Sequence, residues 1–391
     1  MRRAALVAAG LVAVASAAGA EPPVEPRRLA LGAELSAAIG PEDRGFFNFT
    51  SYQDSAQRLA RLSLTAEWHL AERVALLGEV RDENFARPRV YALYARVRPW
   101  RDRAFDVQAG LIPPVFGAFS RRRYGGDNPL IGYPLAYQYL TALRRDAVPG
   151  TASDLVRARG AGWRVHYSFG WGNDEPAPGL PLVNALRWDT GVGVHVGSGA
   201  LEASAAVTQG TLSSPRVHDD NGGKQVSVRL AWKPVVGLVL GASAARGDYL
   251  SRDVVDSLPP ERRGHDPQQA WGVDLEYSRD RWILRSEAIW SRWRTPMLER
   301  SLGALGVTAE GRFKVMPGLY AAGRLDHLGF TEIDAPAGRL TWDANVWRVE
   351  AGVGYTPMRH VLAKLAYQHN RRDGGRVRER ALLTSQIVLW F

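Results

Sequence analysis

Residues 346–355, VWRVEAGVGY, alternate between two unlike kinds of side chain. The first kind is apolar, with an aromatic ring at each end: Trp347, Val349, Ala351, Val353 and Tyr355. The second kind is a pair of opposite charges followed by two glycines: Arg348, Glu350, Gly352 and Gly354. A period of two over this length indicates a β-strand, because successive side chains of a strand point to opposite faces.

The same alternation recurs along the chain, in RWDTGVGVHVG (187–197), QVSVRLAW (225–232) and WGVDLEY (271–277). Many of the apolar faces begin or end with tryptophan or tyrosine, as bilayer-spanning strands do at the two lipid–water boundaries. The opposite faces mix charges with glycine and alanine, which a water-filled lumen allows. The pattern therefore predicts an all-β fold, a transmembrane antiparallel up-and-down β-barrel rather than a soluble sandwich.

The composition agrees with an exported membrane protein. The chain has 391 residues, 13 tryptophans, 40 glycines and no cysteine, which excludes a disulfide framework. Residues 1–20 combine two early arginines, an apolar run and a closing Ala-Gly-Ala, the pattern of a cleaved signal peptide. Residues 21–391 would then form one barrel domain, and no later stretch has the 18 apolar residues of a membrane helix. Nucleic acid is not an expected partner despite the net charge of +10, because the basic residues interleave with membrane strands.

The number of strands follows from short turns that alternate with long polar connections, the arrangement of outer-membrane barrels. Five strands precede residue 113 and eleven follow residue 183, which gives 16. The segment GWRVHYSFG (162–170) also alternates, and SDLVRAR (153–159) can supply its descending partner. We therefore predict 18 strands, with 16 as the alternative.

One connection, residues 113–151, is far longer than ordinary loops and is rich in aromatic residues. We expect it to fold into the lumen and to form a constriction whose positive potential attracts small anions. The predicted constriction residues are Arg121, Arg122, Arg123, Tyr124, Arg144 and Arg145. The alternative is a solvated external loop, or arginines that bind lipopolysaccharide phosphates at the cell surface. For the equally basic last loop, NRRDGGRVRER (370–380), we favour the surface interpretation.

The lumen wall is predicted from the parity opposite to the apolar faces. Its basic members are Arg96, Arg187, Arg229, Arg285, Arg324 and Arg348. Many acidic residues share this parity, and cross-strand ion pairs are the ordinary role of such side chains in a wet interior. An anion preference must therefore come from the long loop, where the positive excess lies.

No catalytic or metal-binding pattern is visible in the sequence. The eight histidines are dispersed without metal-ligand spacing, and no phosphate-binding or nucleophile motif occurs. We expect no cofactor, no metal and no enzymatic activity. Two alternatives to a channel stay open: a structural or adhesin-like barrel with a closed lumen, and a barrel enzyme that acts on lipids.

The alternating strands, the export signal, the passage VQAGLIPPVFGAFSRRRYG (107–125) and the terminal Phe391 together resemble the porins of Gram-negative outer membranes. The passage is similar to the one that leads into the inward-folded third loop of such porins. The basic content resembles the phosphate-selective group. The resemblance implies a passive, trimeric channel for small hydrophilic or anionic solutes, surrounded by membrane lipid and lipopolysaccharide in the cell outer membrane.

The segment ALLTSQIVLWF (381–391) carries Ile387, Leu389 and Phe391 on one face. We predict that it is the last strand and that it closes the barrel against LALGAELSAAI (29–39), because an open edge cannot survive in lipid. By resemblance, its aromatic end with alternating apolar partners looks like the signal read by the outer-membrane assembly machinery.

Overall fold

A computed structural model describes residues 28–50, 54–100, 103–336 and 338–391. Within this part of the chain, sixteen antiparallel strands form one closed barrel in which each strand pairs with the next and the last pairs with the first. The strands are β1 (Leu29–Ile39), β2 (Ala60–Ala71), β3 (Val74–Glu83), β4 (Arg89–Val97), β5 (Ala104–Ile112), β6 (Asp189–Ser198), β7 (Leu201–Thr208), β8 (Gln225–Trp232), β9 (Leu238–Asp248), β10 (Pro267–Arg279), β11 (Trp282–Trp293), β12 (Leu302–Met316), β13 (Leu319–Phe330), β14 (Val346–Met358), β15 (Val361–Arg372) and β16 (Glu379–Trp390).

The connections carry the remaining regular structure. Three short helices are α1 (Leu135–Gln138), α2 (Ala152–Arg157) and α3 (Arg252–Ser257), and two 3₁₀ turns span Phe119–Arg122 and Pro260–Arg262. Two small hairpin pairs join Ala147–Pro149 to Gly170–Gly172, and Glu332–Ala335 to Gly338–Thr341. No helix among the described residues is long and apolar enough to cross a membrane.

The exposure of the strands is the reverse of that in a soluble sheet. In β8, Val226 is 53% exposed and Leu230 is 62% exposed, whereas Arg229 between them is 6% exposed. Across β8, the outward parity is apolar and the inward parity is polar. A sheet that presents its apolar face to the surroundings needs lipid as its solvent, so the barrel is a membrane-spanning one.

Short turns and long connections lie at opposite ends of the barrel. Turns of a few residues join β2 to β3, β6 to β7 and β14 to β15. The N-terminal end of β1 and the C-terminal end of β16 lie on the same side as these turns. We call this side the turn end and the opposite side the loop end. In bacterial outer-membrane barrels the short turns face the periplasm.

The prediction of 18 strands is wrong, and the alternative of 16 is confirmed. Most of residues 153–159 belong to α2, which Thr151 caps by accepting a hydrogen bond from the Asp154 N–H. In the segment 163–169, Val165 and Tyr167 are buried in an apolar core formed with other loop residues. The period of two was real, but the apolar face packs on protein rather than on lipid.

The barrel closes between β1 and β16, in the register Glu34 to Trp390 and Ala37 to Ile387. One residue beyond β16, the Phe391 N–H donates to the Ala33 carbonyl at 3.1 Å. The closure pairs the backbone of both edge strands, which lipid requires because it offers no hydrogen-bond partners. The predicted partnership of the last strand with residues 29–39 is therefore confirmed.

Residues 113–188 connect β5 to β6, and we call them the inward segment because most of them lie inside the barrel. Their apolar residues form one core with inward-facing wall residues near the loop end. The core includes Phe116, Phe119, Tyr137, Tyr139 and Leu143 from the inward segment and Ile289, Trp293, Leu328 and Val346 from the wall. The inward segment therefore fills much of the loop-end half of the lumen. Residues 1–20, the predicted signal peptide, lie outside the described residues.

Candidate functional site in the charged lumen

The inward segment is tethered to the wall by charged side chains that bind its backbone. The Glu34 carboxylate accepts a hydrogen bond from the Gly125 N–H at 2.8 Å, and the Glu350 carboxylate accepts one from the Gly132 N–H at 2.9 Å. A positively charged wall residue binds the same turn, since the Lys364 ammonium donates a hydrogen bond to the Gly125 carbonyl at 2.5 Å. Charge-assisted hydrogen bonds of this kind are stronger than neutral ones, so the turn at 125–132 has a fixed position beside β1, β14 and β15.

Among the predicted constriction residues whose side chains are described, Arg122 is the one that lines a lumenal cavity. Its guanidinium forms an ion pair with Glu310 on β12 at 2.7 Å and remains partly exposed. Arg285 on β11 approaches the same Glu310 carboxylate at 3.3 Å. Since Arg324 on β13 lies 3.4 Å from Glu310 as well, one acidic wall residue is shared by three guanidinium groups.

Arg123 and Tyr124 lie in the lumen but are held against the wall. The Arg123 guanidinium stacks on the Trp188 ring at 4.2 Å and lies 3.9 Å from the Glu79 carboxylate. The Tyr124 hydroxyl donates to Glu79 at 2.5 Å. Both residues are thus bound to β3 and do not project into open space. The Arg121 side chain lies outside the described residues.

Arg144 and Arg145 lie far from this group, at the loop end. Arg144 is buried, and its guanidinium donates to Asp146 at 2.9 Å and to the Val165 carbonyl at 3.0 Å. Arg145 forms an exposed ion pair with Asp220 at 3.2 Å. The six residues predicted as one constriction therefore divide into a lumenal group and a loop-end group.

Three wall arginines engage carboxylates on the adjacent strand or on the next strand but one. The pairs are Arg96 with Glu67 (2.5 Å), Arg229 with Asp274 (2.5 Å) and Arg285 with Glu276 (2.7 Å). Arg348 differs, because its guanidinium donates to Asn370 at 2.7 Å and to backbone carbonyls of the inward segment and of the first long loop. Arg187 lies in the connection before β6 rather than on a strand.

Arg324 on β13 is the centre of a buried charge cluster. Its guanidinium reaches Glu350 at 2.5 Å, Asp326 at 3.2 Å and Glu310 at 3.4 Å. Its side chain and those of Asp326 and Glu350 are fully buried. Because Glu350 also accepts the Gly132 N–H, this cluster couples the wall to the inward segment.

Open space remains between the 3₁₀ turn Phe119–Arg122 and strands β7–β12. The cavity there has a volume of about 330 Å³. Its lining includes four basic residues and five acidic residues: Arg122, Arg229, Lys233 and Arg285, and Glu202, Asp274, Glu276, Glu287 and Glu310. Towards the turn end, a second cavity of about 640 Å³ is lined in part by Arg73, His195 and Ser204. Among the described residues, no group of three or more potential ligands that could hold a metal ion is found.

The tethering role of Glu34, Glu350 and Lys364 could not be deduced from the sequence. All three residues have lumenal parity, but their partners in the inward segment lie more than 90 residues away in the chain. A period of two indicates which face a side chain occupies, and it carries no information on contacts with an irregular loop.

Asp266, in the connection between β9 and β10, gives the loop end a pH dependence. Burial raises its pKa to about 7, and the nearby Asp248 carboxylate adds to the increase. One of its carboxylate oxygens has no hydrogen-bond partner among the described residues. In the unfolded chain Asp266 has an ordinary pKa of 3.8. Between about pH 4 and pH 7, the folded protein therefore keeps a proton on Asp266 that the unfolded chain has already released. Folding stability from this group is lost as the pH rises from about 4 through about 7.

Asp266→Asn is expected to remove this loss, because an amide does not ionise. In detergent at pH 8, the variant should resist cleavage of the 249–266 connection by protease several-fold better than the wild-type protein does. At pH 4 the two proteins should be cleaved at the same rate. Equal rates at both pH values would show that Asp266 does not titrate in this range.

Comparisons with known proteins bear on the fold. No known family model matches the sequence, and no curated protein matches it. Among solved structures, the anion-selective porin from Comamonas acidovorans matches with a TM-score of 0.56 at 10% identity, over 93% of this chain and 99% of that chain. The outer-membrane expressed OmpT of Vibrio cholerae matches with a TM-score of 0.56 at 10% identity, over 94% of this chain and 99% of that chain. OmpF of Salmonella typhi in complex with daunomycin matches with a TM-score of 0.54 at 13% identity, over 93% and 97%. The chain therefore has the fold of the outer-membrane porins.

Proposed function

We propose that the protein is an outer-membrane porin through which small hydrophilic solutes diffuse passively along a narrow path. The observation that carries the proposal is the polar cavity of about 330 Å³ beside Arg122, bounded by charged wall residues. Hydrated charges on both sides of a path allow polar solutes to exchange water for protein contacts. A barrel that served only as a scaffold would have no need of such a lining.

The selectivity we propose is weak. The four basic residues of the cavity lining stand against five acidic ones, and Arg122 shares Glu310 with Arg285. Among the predicted constriction residues whose side chains are described, an anion preference then depends on Arg122, and not on Arg123, Arg144 or Arg145. Phosphate specificity has no support in this lining.

Arg122→Gln is expected to lower the anion/cation permeability ratio in planar bilayers by about twofold, because Glu310 loses one of its three nearby positive charges and the cavity lining becomes more acidic. The reversal potential in a salt gradient measures this ratio. Arg145→Gln, at the loop end, is the matched control and should leave the reversal potential unchanged. A reversal potential that Arg122→Gln does not move would count against a path beside this residue.

A second candidate is a barrel with a closed lumen. The observation that favours it is the apolar core shared by the inward segment and the wall near the loop end. The two candidates differ in one measurement, since a closed barrel gives no conductance steps in a planar bilayer. We favour the porin, because open space lined by charged side chains remains beside Arg122.

We propose no enzymatic role. His195 and Ser204 approach each other at 2.7 Å, which is the arrangement of a base and a nucleophile. Both residues line the lumenal cavity at the turn end, away from the lipid that a barrel lipase must reach. A phospholipase assay of the refolded protein, with Ser204→Ala as its control, tests this alternative.

The proposed setting is the cell outer membrane, reached through cleavage of the signal peptide after Ala20, with lipid, lipopolysaccharide and two further copies of the chain as neighbours. Support for a homotrimer comes from a solved structure with the same fold, OmpT of Vibrio cholerae, which is described in a trimer form. Its sequence is 10% identical to this chain. Native mass spectrometry of the detergent-extracted protein measures the oligomeric state directly.

Deletion of Phe391 is expected to leave the protein exported but poorly inserted. The backbone of Phe391 extends the β1–β16 closure to Ala33. The Phe391 ring is exposed at the turn end, and the Ile387 side chain on the same face of the strand is exposed as well. The amount of heat-modifiable barrel in the outer-membrane fraction measures insertion. Phe391→Tyr keeps an aromatic end and should insert normally. Wild-type amounts of barrel from the deletion variant would contradict an assembly role for Phe391, Leu389 and Ile387.

A further inference from the structure

One row of charged side chains runs around the inside of the barrel at a single level. The register of strands β10 to β14 places its members directly opposite one another, in the order Glu276, Arg285, Glu310, Arg324 and Glu350. The sign of the charge alternates along the whole row, and each neighbouring pair forms an ion pair. We call these five residues the charge row.

The charge row is buried at one end and open at the other. At the β13–β14 end, Arg324 and Glu350 are fully buried and both bind the backbone of Gly132 in the inward segment. At the β10–β11 end, the Arg285 side chain is 16% exposed and the Glu276 side chain is 41% exposed. The open end lines the cavity of about 330 Å³ beside Arg122.

Glu276 ends the charge row with a carboxylate that is paired on one side. It accepts a hydrogen bond from the Arg285 guanidinium at 2.7 Å. On its other side the register places Val239 of β9, where the alternation of charge would require a cation. An exposed carboxylate between a guanidinium and an apolar side chain can still accept hydrogen bonds from the ammonium group of a solute.

Arg122 and Arg285 present the complementary charge to the same cavity. Both guanidinium groups are partly exposed, and both contact the buried carboxylate of Glu310, at 2.7 Å and 3.3 Å. Because Arg324 also contacts Glu310, this one carboxylate cannot neutralise all the positive charge around it. The planar guanidinium forks suit the two oxygens of a carboxylate.

We propose that this cavity binds a small zwitterion of the α-amino acid type, as one stage of the diffusion path proposed above. The ammonium group donates to Glu276, and the carboxylate accepts from Arg122 and Arg285. Because Glu276 and Arg285 are in direct contact, the two charges of the ligand must also lie close together, as they do in an α-amino acid. A cavity of about 330 Å³ is near the lower end of the range for ligand pockets and suits a solute of this size.

A second ion pair gives the zwitterion its next contact on the way to the turn end. Lys233 and Glu202 pair with each other, and both line the same cavity. Glu202 also lines the turn-end cavity of about 640 Å³. A zwitterion that leaves Arg285 and Glu276 therefore meets another pair of opposite charges, so the first site delays the solute without trapping it.

Saturation-transfer NMR of the refolded protein in detergent tests the proposal with L-valine as the probe. Two analogues keep its branched skeleton and one of its charges: 3-methylbutanoate lacks the ammonium group, and 2-methylpropylamine lacks the carboxylate. L-valine is expected to bind about tenfold more tightly than either analogue, the effect of roughly one charge-assisted hydrogen bond. Equal affinities for the three solutes would overturn the proposal.

Glu276→Gln is expected to weaken L-valine binding about tenfold, because the ammonium group loses its anionic partner. Binding of 3-methylbutanoate should not weaken, since that solute makes no use of Glu276. The matched control is Glu67→Gln, which removes another lumenal carboxylate, paired with Arg96 outside this cavity, and should leave the affinity for L-valine unchanged. An unchanged affinity for L-valine in Glu276→Gln would overturn the assignment of the ammonium site.

A third variant fills the cavity while keeping its charges. Ala231 lines the cavity from β8, and Ala231→Leu should weaken L-valine binding several-fold. Binding in detergent does not require conduction, so the two proposals fail separately. Conductance steps without preferential binding of L-valine would overturn the zwitterion site alone, whereas L-valine binding without conductance steps would support the site and overturn the porin.

Discussion

Replacement of residues 114–187 by a short glycine–serine linker is expected to raise the single-channel conductance by about fivefold or more, because an unfilled barrel of this strand number encloses an aqueous channel. The design is possible because Ile112 on β5 pairs directly with Asp189 on β6. A hairpin loop of a few residues can join two strands that are already neighbours. Conductance steps in planar bilayers give the measurement.

The matched control replaces the 3₁₀ turn Pro260–Arg262, which has no buried residue, by a short glycine–serine linker and should leave conductance unchanged. If the first variant does not refold, Lys364→Gln provides a milder test. It weakens the bonds from Lys364 to the carbonyls of the 125–132 turn and should increase both mean conductance and current noise. Wild-type conductance from a folded deletion variant would mean that the inward segment does not limit the current.

Arg324→Met is expected to lower the free energy of unfolding by about 3–5 kcal/mol, the usual cost of removing one partner from a buried ion pair. Glu310, Asp326 and Glu350 would remain close together without their shared cation. The urea concentration at which the barrel loses its heat-modifiable form measures the effect.

Lys314→Met, at an exposed position on the neighbouring strand β12, is the matched control and should cost little. The double variant Arg324→Met with Glu350→Gln should recover part of the loss, because it removes one of the repelling carboxylates. A single variant as stable as the wild-type protein would show that water or counterions reach the cluster and screen it.

Membrane-spanning strands can be predicted from this sequence because lipid imposes a simple rule on them. In β14, Trp347 and Tyr355 close an apolar face, and in β10 Trp271 and Tyr277 do the same. Every such strand satisfies the rule independently of its neighbours. The rule gives the barrel and the parity of each side chain, and it supports the count of five plus eleven strands.

The rule fails where an alternating segment faces protein instead of lipid. Val165 and Tyr167 have the parity of lipid-facing residues, but they pack in the core of the inward segment. The sequence carried a local signal against a strand at 153–159, since Thr151 and Asp154 form a helix cap. The cap involves only two residues, whereas the alternation in the adjacent segment 162–170 extends over nine residues.

The candidate site was predictable only in part, for a related reason. Arg122 and Arg144 occur in one basic, aromatic loop, and composition alone treats them alike. The structure separates them, because Arg122 meets Glu310 from β12 whereas Arg144 binds Asp146 and backbone carbonyls nearby. Contacts between an irregular segment and a distant strand depend on the complete fold.

The pairing of β1 with β16 sets an order on the biogenesis of the protein. Glu34 and Trp390 face each other across the closure, so a ribosome must translate almost the entire sequence before the ring can be sealed. Until then, the nascent polypeptide has two strand edges whose backbone groups lack partners, and it depends on water or chaperones for solubility. A premature stop codon anywhere before β16 should therefore yield no partial pore, only an unsealed sheet that periplasmic proteases can degrade.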